Sequence, residues 1–152
     1  MRFLLPLLLA GLALTLVSCS KYRADFQKAA RNFKQGKTPE GPWTGTWKSE
    51  VNGHHGPLLC LISRDPEAPD QWVFRYRAGW GVLKFGDYEH PVKAALQPDG
   101  SLLIEDKMTL PKDFGTYSVK GKVTPTQFNF RFSGNGDKGT MTLTRPKKNL
   151  PR

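Results

Sequence analysis

Gly41-Pro42-Trp43-Thr44-Gly45-Thr46-Trp47-Lys48 decides how this chain is read. Alternate residues of a strand share a face, so Trp43, Gly45 and Trp47 point one way and Thr44, Thr46 and Lys48 the other. Two indoles on one face make a large apolar anchor, and Gly45 between them leaves room for the backbone of another strand. The residues after this stretch read as a run of short strands that returns to it at Arg145. The residues before it read as delivery and tether.

From Trp43 onward, strand-like runs alternate with turn signals at short spacing, as in an all-β barrel or sandwich. The first strand covers about 43–51 and closes on Asn52-Gly53-His54-His55-Gly56; the second covers about 57–64 and ends in Arg64-Asp65-Pro66-Glu67-Ala68-Pro69-Asp70. The third, about 71–78, sets Trp72, Phe74 and Tyr76 inward and Val73, Arg75 and Arg77 outward. After Gly79-Trp80-Gly81 a bulged fourth strand runs about 82–97, interrupted near Gly86 and Pro91. Pro98-Asp99-Gly100 turns into a fifth at about 101–109, and a sixth, about 115–124, places Tyr117, Val119, Gly121 and Val123 on one face. Phe128, Phe130 and Phe132 alternate with Asn129 and Arg131 in the seventh, and Thr140 to Arg145 forms the eighth. Eight strands in simple succession predict an antiparallel up-and-down barrel, over about residues 42–146, whose closure leaves no exposed sheet edge.

The size allows this. A chain of 152 residues is one domain plus appendages, and 15 glycines with 12 prolines suit many turns rather than long helices. The formal charge of +10 favours anionic surfaces such as lipid headgroups or anionic polysaccharide.

Gly45-Thr46-Trp47 on the first strand, with Arg145 closing the last, resembles the lipocalin (calycin) pattern. That resemblance implies that Gly45, Trp47 and Arg145 close one end of the barrel, with the guanidinium laid across the Trp47 indole in a cation–π contact of about 0.5–2 kcal/mol. Loops are short here, a C-terminal helix is missing and so is the usual disulfide, so the expectation is a lipocalin-like barrel. With Trp47 at the closed end, residues 51–56, 78–81, 109–114 and 133–138 form the mouth. They gather His54, His55, Trp80, Lys112, Asp113, Phe114, Asn135, Asp137 and Lys138. Such a barrel either fills itself with side chains or holds one small ligand. The candidate ligand-binding residues are Trp72, Phe74, Tyr76, Trp80, Asp106, Tyr117 and Phe130.

The N-terminus has its own signature. Met1-Arg2 precedes an apolar run from Phe3 to Leu14, the form of a secretory signal over residues 1–18. Leu16-Val17-Ser18-Cys19 resembles the lipobox of bacterial lipoproteins, which implies cleavage before Cys19, acylation of its thiol and new amine, and, with Ser20 next, retention on the outer membrane facing the periplasm. Several acyl chains hold a protein stably on a membrane where one does not. Cleavage removes only Arg2 among the charged residues and leaves 22 basic against 13 acidic side chains. With Cys19 acylated, Cys60 has no disulfide partner and reads as a small core residue in Leu58-Leu59-Cys60-Leu61-Ile62.

Residues 19–41 form the lipidated N-terminus and a basic tether. Tyr22, Phe26, Ala29 or Ala30 and Phe33 recur at helical spacing among Lys21, Arg23, Lys28, Arg31 and Lys34, with Gly36 as a stop. The stripe packs on the barrel, belongs to a linker, or lies on the membrane. Residues 147–152 form a basic tail.

Signals for chemistry are sparse. His54-His55 are adjacent residues that rarely aim at one metal, and His90 before Pro91 reads as structural. Asp106 shares the parity of Leu102, Ile104 and Met108, so in a regular strand it faces inward, where a buried carboxylate needs a partner such as Arg145 or a tyrosine; a strand bulge would turn it outward instead. No nucleophile elbow, phosphate loop, dinucleotide fingerprint or zinc spacing appears. The expectation is therefore a protein that is not an enzyme, with no cofactor, no metal and no nucleic-acid partner. It binds a small hydrophobic or amphiphilic ligand in the barrel. The alternative is a filled barrel acting as an envelope interaction module, whose basic surface meets anionic polysaccharide, membrane or a protein.

Overall fold

The computed structural model describes residues 21–110 and 114–147, with residues 83–85 described by their backbone. The expected leader, Cys19 and residues 148–152 lie outside the described residues, as do Lys112 and Asp113 of the expected mouth. Eight antiparallel strands follow one another: β1 (Gly41–Ser49), β2 (His55–Arg64), β3 (Gln71–Trp80), β4 (Leu83–Lys93), β5 (Leu102–Thr109), β6 (Thr116–Val123), β7 (Gln127–Gly134) and β8 (Asp137–Thr144). They form one sheet in the order β4-β3-β2-β1-β8-β7-β6-β5. The sheet curls into an up-and-down barrel, as the sequence predicts.

Closure is incomplete. Among the described residues no backbone pairing joins β4 to β5, so the barrel has a seam, whereas full closure was expected. Pro91 has no N–H to donate and suits an edge strand. Glu89, Glu105 and Lys107 are exposed on the two edges, where charge discourages pairing with another chain. Between Tyr76 and Arg77 the β3–β4 register shifts, which leaves Asp87 as the extra residue of a bulge, at φ 55°.

The alternation read from the sequence sets the core. Trp43, Leu58, Cys60, Ile62, Trp72, Phe74, Tyr76, Val119, Phe128, Phe130, Met141 and Leu143 are buried inside. Burial pushes the Cys60 thiol well above its ordinary value, so it stays protonated and inert. Near the Arg145 end the interior is filled by rings: Phe74 packs within 6.0–6.1 Å of Phe128 and Phe130, and Phe128 edges onto Trp43 at 5.9 Å. Trp72 Nε1 donates to the Ala94 carbonyl and Trp43 Nε1 to that of Pro39, so both buried indoles are satisfied.

Helix α1 covers residues 21–32 and lies against the outside of the barrel. Its stripe is used in packing: Tyr22 and Phe26 are buried. The Tyr22 hydroxyl donates to the Arg75 carbonyl on β3, and the Arg75 guanidinium sits 5.0 Å from the Tyr22 ring centroid. Arg75 also donates to Asp25 at 2.8 Å and, through Nη2, to Asp87 at 2.6 Å. One outward arginine thus ties the helix to the bulge, and its proton is held more firmly than usual by Asp87 first and Asp25 second. The helix ends at residue 32, earlier than the expected stop at Gly36, because Phe33 leaves the axis to lie under Arg145. No helix among the described residues is long and apolar enough to cross a membrane.

Candidate functional site

The two ends of the barrel differ. At one, Arg145 is a plug: Nε donates to Pro125 O at 2.9 Å, Nη2 to Thr38 O at 3.1 Å and Nη1 to Pro42 O at 3.3 Å. Its guanidinium carbon lies 3.8 Å from the Trp43 ring centroid and 4.4 Å from that of Phe33. Burial pulls its pKa down to about 10, which leaves it charged near neutral pH. Arg145 thus closes the barrel as expected, but the indole beneath it belongs to Trp43 and not to Trp47. The register explains the correction: Thr44 pairs with Thr144 while Trp47 pairs with Met141, so Trp47 stands roughly 13 Å further up the strand. Gly-x-Trp spacing occurs at 41–43 as well as at 45–47. Gly41 has the φ of +106° that favours glycine, and a Cβ there would meet the Phe33 ring at 3.0 Å and Arg145 Nη1 at 3.3 Å. The first Gly-x-Trp makes the plug.

At the opposite end a cavity of about 420 Å³ opens among Trp47, Leu58, Ala78, Tyr88, Met108, Leu110, Tyr117, Phe132 and Met141. His54, Trp80, Phe114 and Asp137 stand around its opening, one from each of the four loops expected to form the mouth. Trp47 Nε1 donates to Gly79 O at 2.9 Å, which fixes the indole as a wall. The Trp80 ring leans on His54 at 4.6 Å, and Tyr117 meets Phe132 edge-on at 5.9 Å. Asp137 accepts from Ser49 Oγ at 2.6 Å and from its neighbour Lys138 N, which ties the β7–β8 loop to the end of β1.

The seven candidate ligand residues separate by level. Trp80 and Tyr117 line the cavity. Trp72, Phe74, Tyr76 and Phe130 fill the core beneath it, where Tyr76 stacks on the cavity wall residue Tyr88 at 5.4 Å. The Tyr76 hydroxyl is buried without a hydrogen-bond partner among the described residues, and burial keeps it protonated. Asp106 sits at the seam. β5 pairs regularly with β6, so no bulge turns Asp106 outward, but at this open edge its side chain is 41% exposed where burial was expected, with Oδ2 3.0 Å from His90 Nε2. Its partner is therefore His90, across the unpaired edges of β4 and β5, and not Arg145 or a tyrosine. The sequence reading missed this role of His90. His54 shares the rim with Asp137, but no cluster of three metal-ligating side chains exists among the described residues.

The seam has a pH consequence. His90 is buried, and desolvation lowers its pKa against the opposing pull of the Asp106 carboxylate. A base whose folded pKa is depressed takes up its proton more readily unfolded, so its contribution is present above the unfolded value and lost as pH falls from there toward the lower folded value. The melting temperature is expected to fall as pH drops below about 6.5, the unperturbed histidine value. In His90→Gln that slope should flatten, and equal slopes in the two proteins would remove the assignment. Asp25 and Asp99 act lower: Arg75 holds the first carboxyl down, while Ser101 and then Lys122 hold the second at about 2.

Comparison of the chain with protein-family models, curated proteins and solved structures finds no match, so the functional reading rests on the geometry of the molecule itself.

Proposed function

We propose that this chain is a lipid-anchored envelope protein whose barrel takes up a small hydrophobic or amphiphilic molecule through its open end, without catalysis. The cavity above the aromatic core carries the reading. Its volume of about 420 Å³ lies within the range of small-molecule sites, roughly 300–1,000 Å³. Its walls are mostly aromatic and aliphatic, with Tyr117 and Tyr88 as the ring-borne hydroxyls, Asp87 held by Arg75, and His54 and Asp137 at the rim. That combination suits an apolar body held inside and a polar group left near the mouth. The anchor at Cys19 and the outer-membrane location rest on the lipobox resemblance, and acyl chains are abundant in that setting.

The test is native mass spectrometry on the chain from Ser20 onward, which keeps the whole helix and barrel, followed by solvent extraction. A stoichiometric hydrophobic adduct is expected. Ala78 lines the cavity, so Ala78→Phe should fill it and weaken binding of a fatty acid roughly tenfold or more, at least about 1.4 kcal/mol. A bare mass together with no response to fatty acids or phospholipids would overturn the reading. The second reading would then stand, in which the filled lower core makes the barrel a rigid platform and its basic exterior meets an anionic polymer or a protein.

A further inference from the structure

Exposed apolar side chains collect at one end of this molecule. Among the described residues, the large hydrophobics with the highest exposure are Val51, Trp80, Val82, Leu103 and Phe114. Leu103 stands alone on the outer face of β5. The other four lie in or at the edge of the β1–β2, β3–β4 and β5–β6 connections, which are three of the four loops at the mouth. Val82, at the tip of its turn, is 95% exposed. Scattered surface hydrophobics are ordinary, but a ring of them on separate loops at one rim is a surface built to leave water.

Two lysines beside the rim carry charge that no ion pair among the described residues takes up. Glu50 is paired with Arg131 at 2.7 Å and Asp87 with Arg75, while Asp137 keeps its charge and accepts a hydrogen bond from Ser49. Lys48 and Lys138, both exposed, have no acidic partner among the described residues. Apolar tips that include a tryptophan and a phenylalanine, backed by free ammonium groups, match the boundary between lipid headgroups and acyl chains.

The direction of helix α1 points the same way. Its first turn is held at mid-barrel, where Tyr22 and Asp25 meet Arg75, and the chain then descends until Phe33 reaches Arg145 at the closed end. The start of the helix therefore faces the rim. Cys19 lies two residues before Lys21, and two extended residues reach at most roughly 7 Å. Acyl chains on that cysteine would enter a bilayer lying on the rim side of the barrel, not beyond the Arg145 plug.

We infer that the open end of the barrel docks on an anionic lipid bilayer, with Val51, Trp80, Val82 and Phe114 entering the headgroup region. Ligand then passes between membrane and cavity without crossing water. The docking rests on the lipid anchor proposed above, and the transfer on the proposed ligand as well.

The test uses the full-length lipidated protein reconstituted into vesicles of phosphatidylglycerol and phosphatidylethanolamine with brominated acyl chains. The chain has four tryptophans. Trp43 and Trp72 are buried and the Trp47 indole is bonded inside the barrel, so Trp80 reports on lipid contact. Quenching of its emission is expected, reduced when phosphatidylcholine replaces phosphatidylglycerol, and lost in the double variant Val51→Asp/Val82→Asp, which stays anchored and melts like the parent. Unquenched emission from the anchored parent would overturn the docking and leave a protein as the partner of the rim. Quenching that survives the double variant would overturn it equally. The cavity-filled Ala78→Phe protein separates the two proposals. If it is quenched like the parent while the parent carries no ligand, docking stands and ligand carriage falls. If the parent carries ligand but is never quenched, ligand carriage stands and docking falls.

Discussion

Replacing Arg145 with alanine is expected to cost about 3 kcal/mol, a fall in melting temperature of roughly 10 °C for a folding unit of this size. The guanidinium donates to three carbonyls from three separate segments: Thr38 from the tether, Pro42 from β1 and Pro125 from the β6–β7 turn. Truncation leaves those acceptors in a partly buried place, and each charged hydrogen bond is ordinarily worth about 1.5–3 kcal/mol before the cost of burying the charge is set against it. That burial cost is real here, since desolvation is what depresses the pKa of Arg145. The rings of Trp43 and Phe33, on opposite segments, lose the cation between them.

Two controls make this loss diagnostic. Arg145→Lys keeps the charge but offers a single ammonium in place of a planar fork, so it should recover little of the stability. The partners are carbonyls and aromatic faces, not carboxylates, so the penalty should be the same at low and high salt, unlike that of a surface ion pair. Stability equal to the parent in both variants, or a penalty that vanishes in salt, would mean that the plug is not what closes this end.

Much of this site could be read from side-chain parity. Met141, Leu143 and Arg145 share a face, so the arginine had to point where the barrel closes. What parity could not decide was which indole it would cover, because Trp43 and Trp47 lie on the same face with the same Gly-x-Trp spacing. That choice depends on the register of β1 against β8, two strands about a hundred residues apart, and register is a property of the whole closed sheet. Trp72, Phe74 and Phe130 were legible as inward but not as low, for the same reason: alternation gives the face, and only pairing gives the height. The pairing rule itself misled at the seam. Consecutive strands usually pair, yet β4 and β5 do not, and a side-chain bond from His90 to Asp106 stands where a backbone ladder was expected. The tether was legible as an amphipathic helix, while its partner surface was not, because outward Arg75 looks like any solvated strand residue until Asp87 is bulged beneath it.

Gly45→Ala is expected to be the most damaging single methyl that can be added to β1, costing about 3 kcal/mol or more. An added Cβ would stand 2.0 Å from the Thr142 oxygen and 2.6 Å from the Leu143 Cα, both backbone atoms of β8. A side chain could rotate away; a paired strand cannot. Its position makes the clash worse. The sheet order places β1–β8 at the joint between the half built from β1 to β4 and the half built from β5 to β8. With β4 and β5 unpaired, this is the one backbone ladder that joins the halves among the described residues. Opening it to admit a methyl group weakens the whole closure. Gly53→Ala supplies the comparison. Gly53 lies at φ +73° with nothing within 4 Å of the added carbon, so its penalty is the left-handed backbone alone, about 1–2 kcal/mol. Denaturant unfolding of the two variants side by side should rank Gly45→Ala clearly below Gly53→Ala, with slower refolding, since the β1–β8 contacts are the longest in range that the barrel makes. The reverse ranking would show that β8 can yield at this point, and that the joint carries less of the stability of the barrel than the sheet order implies.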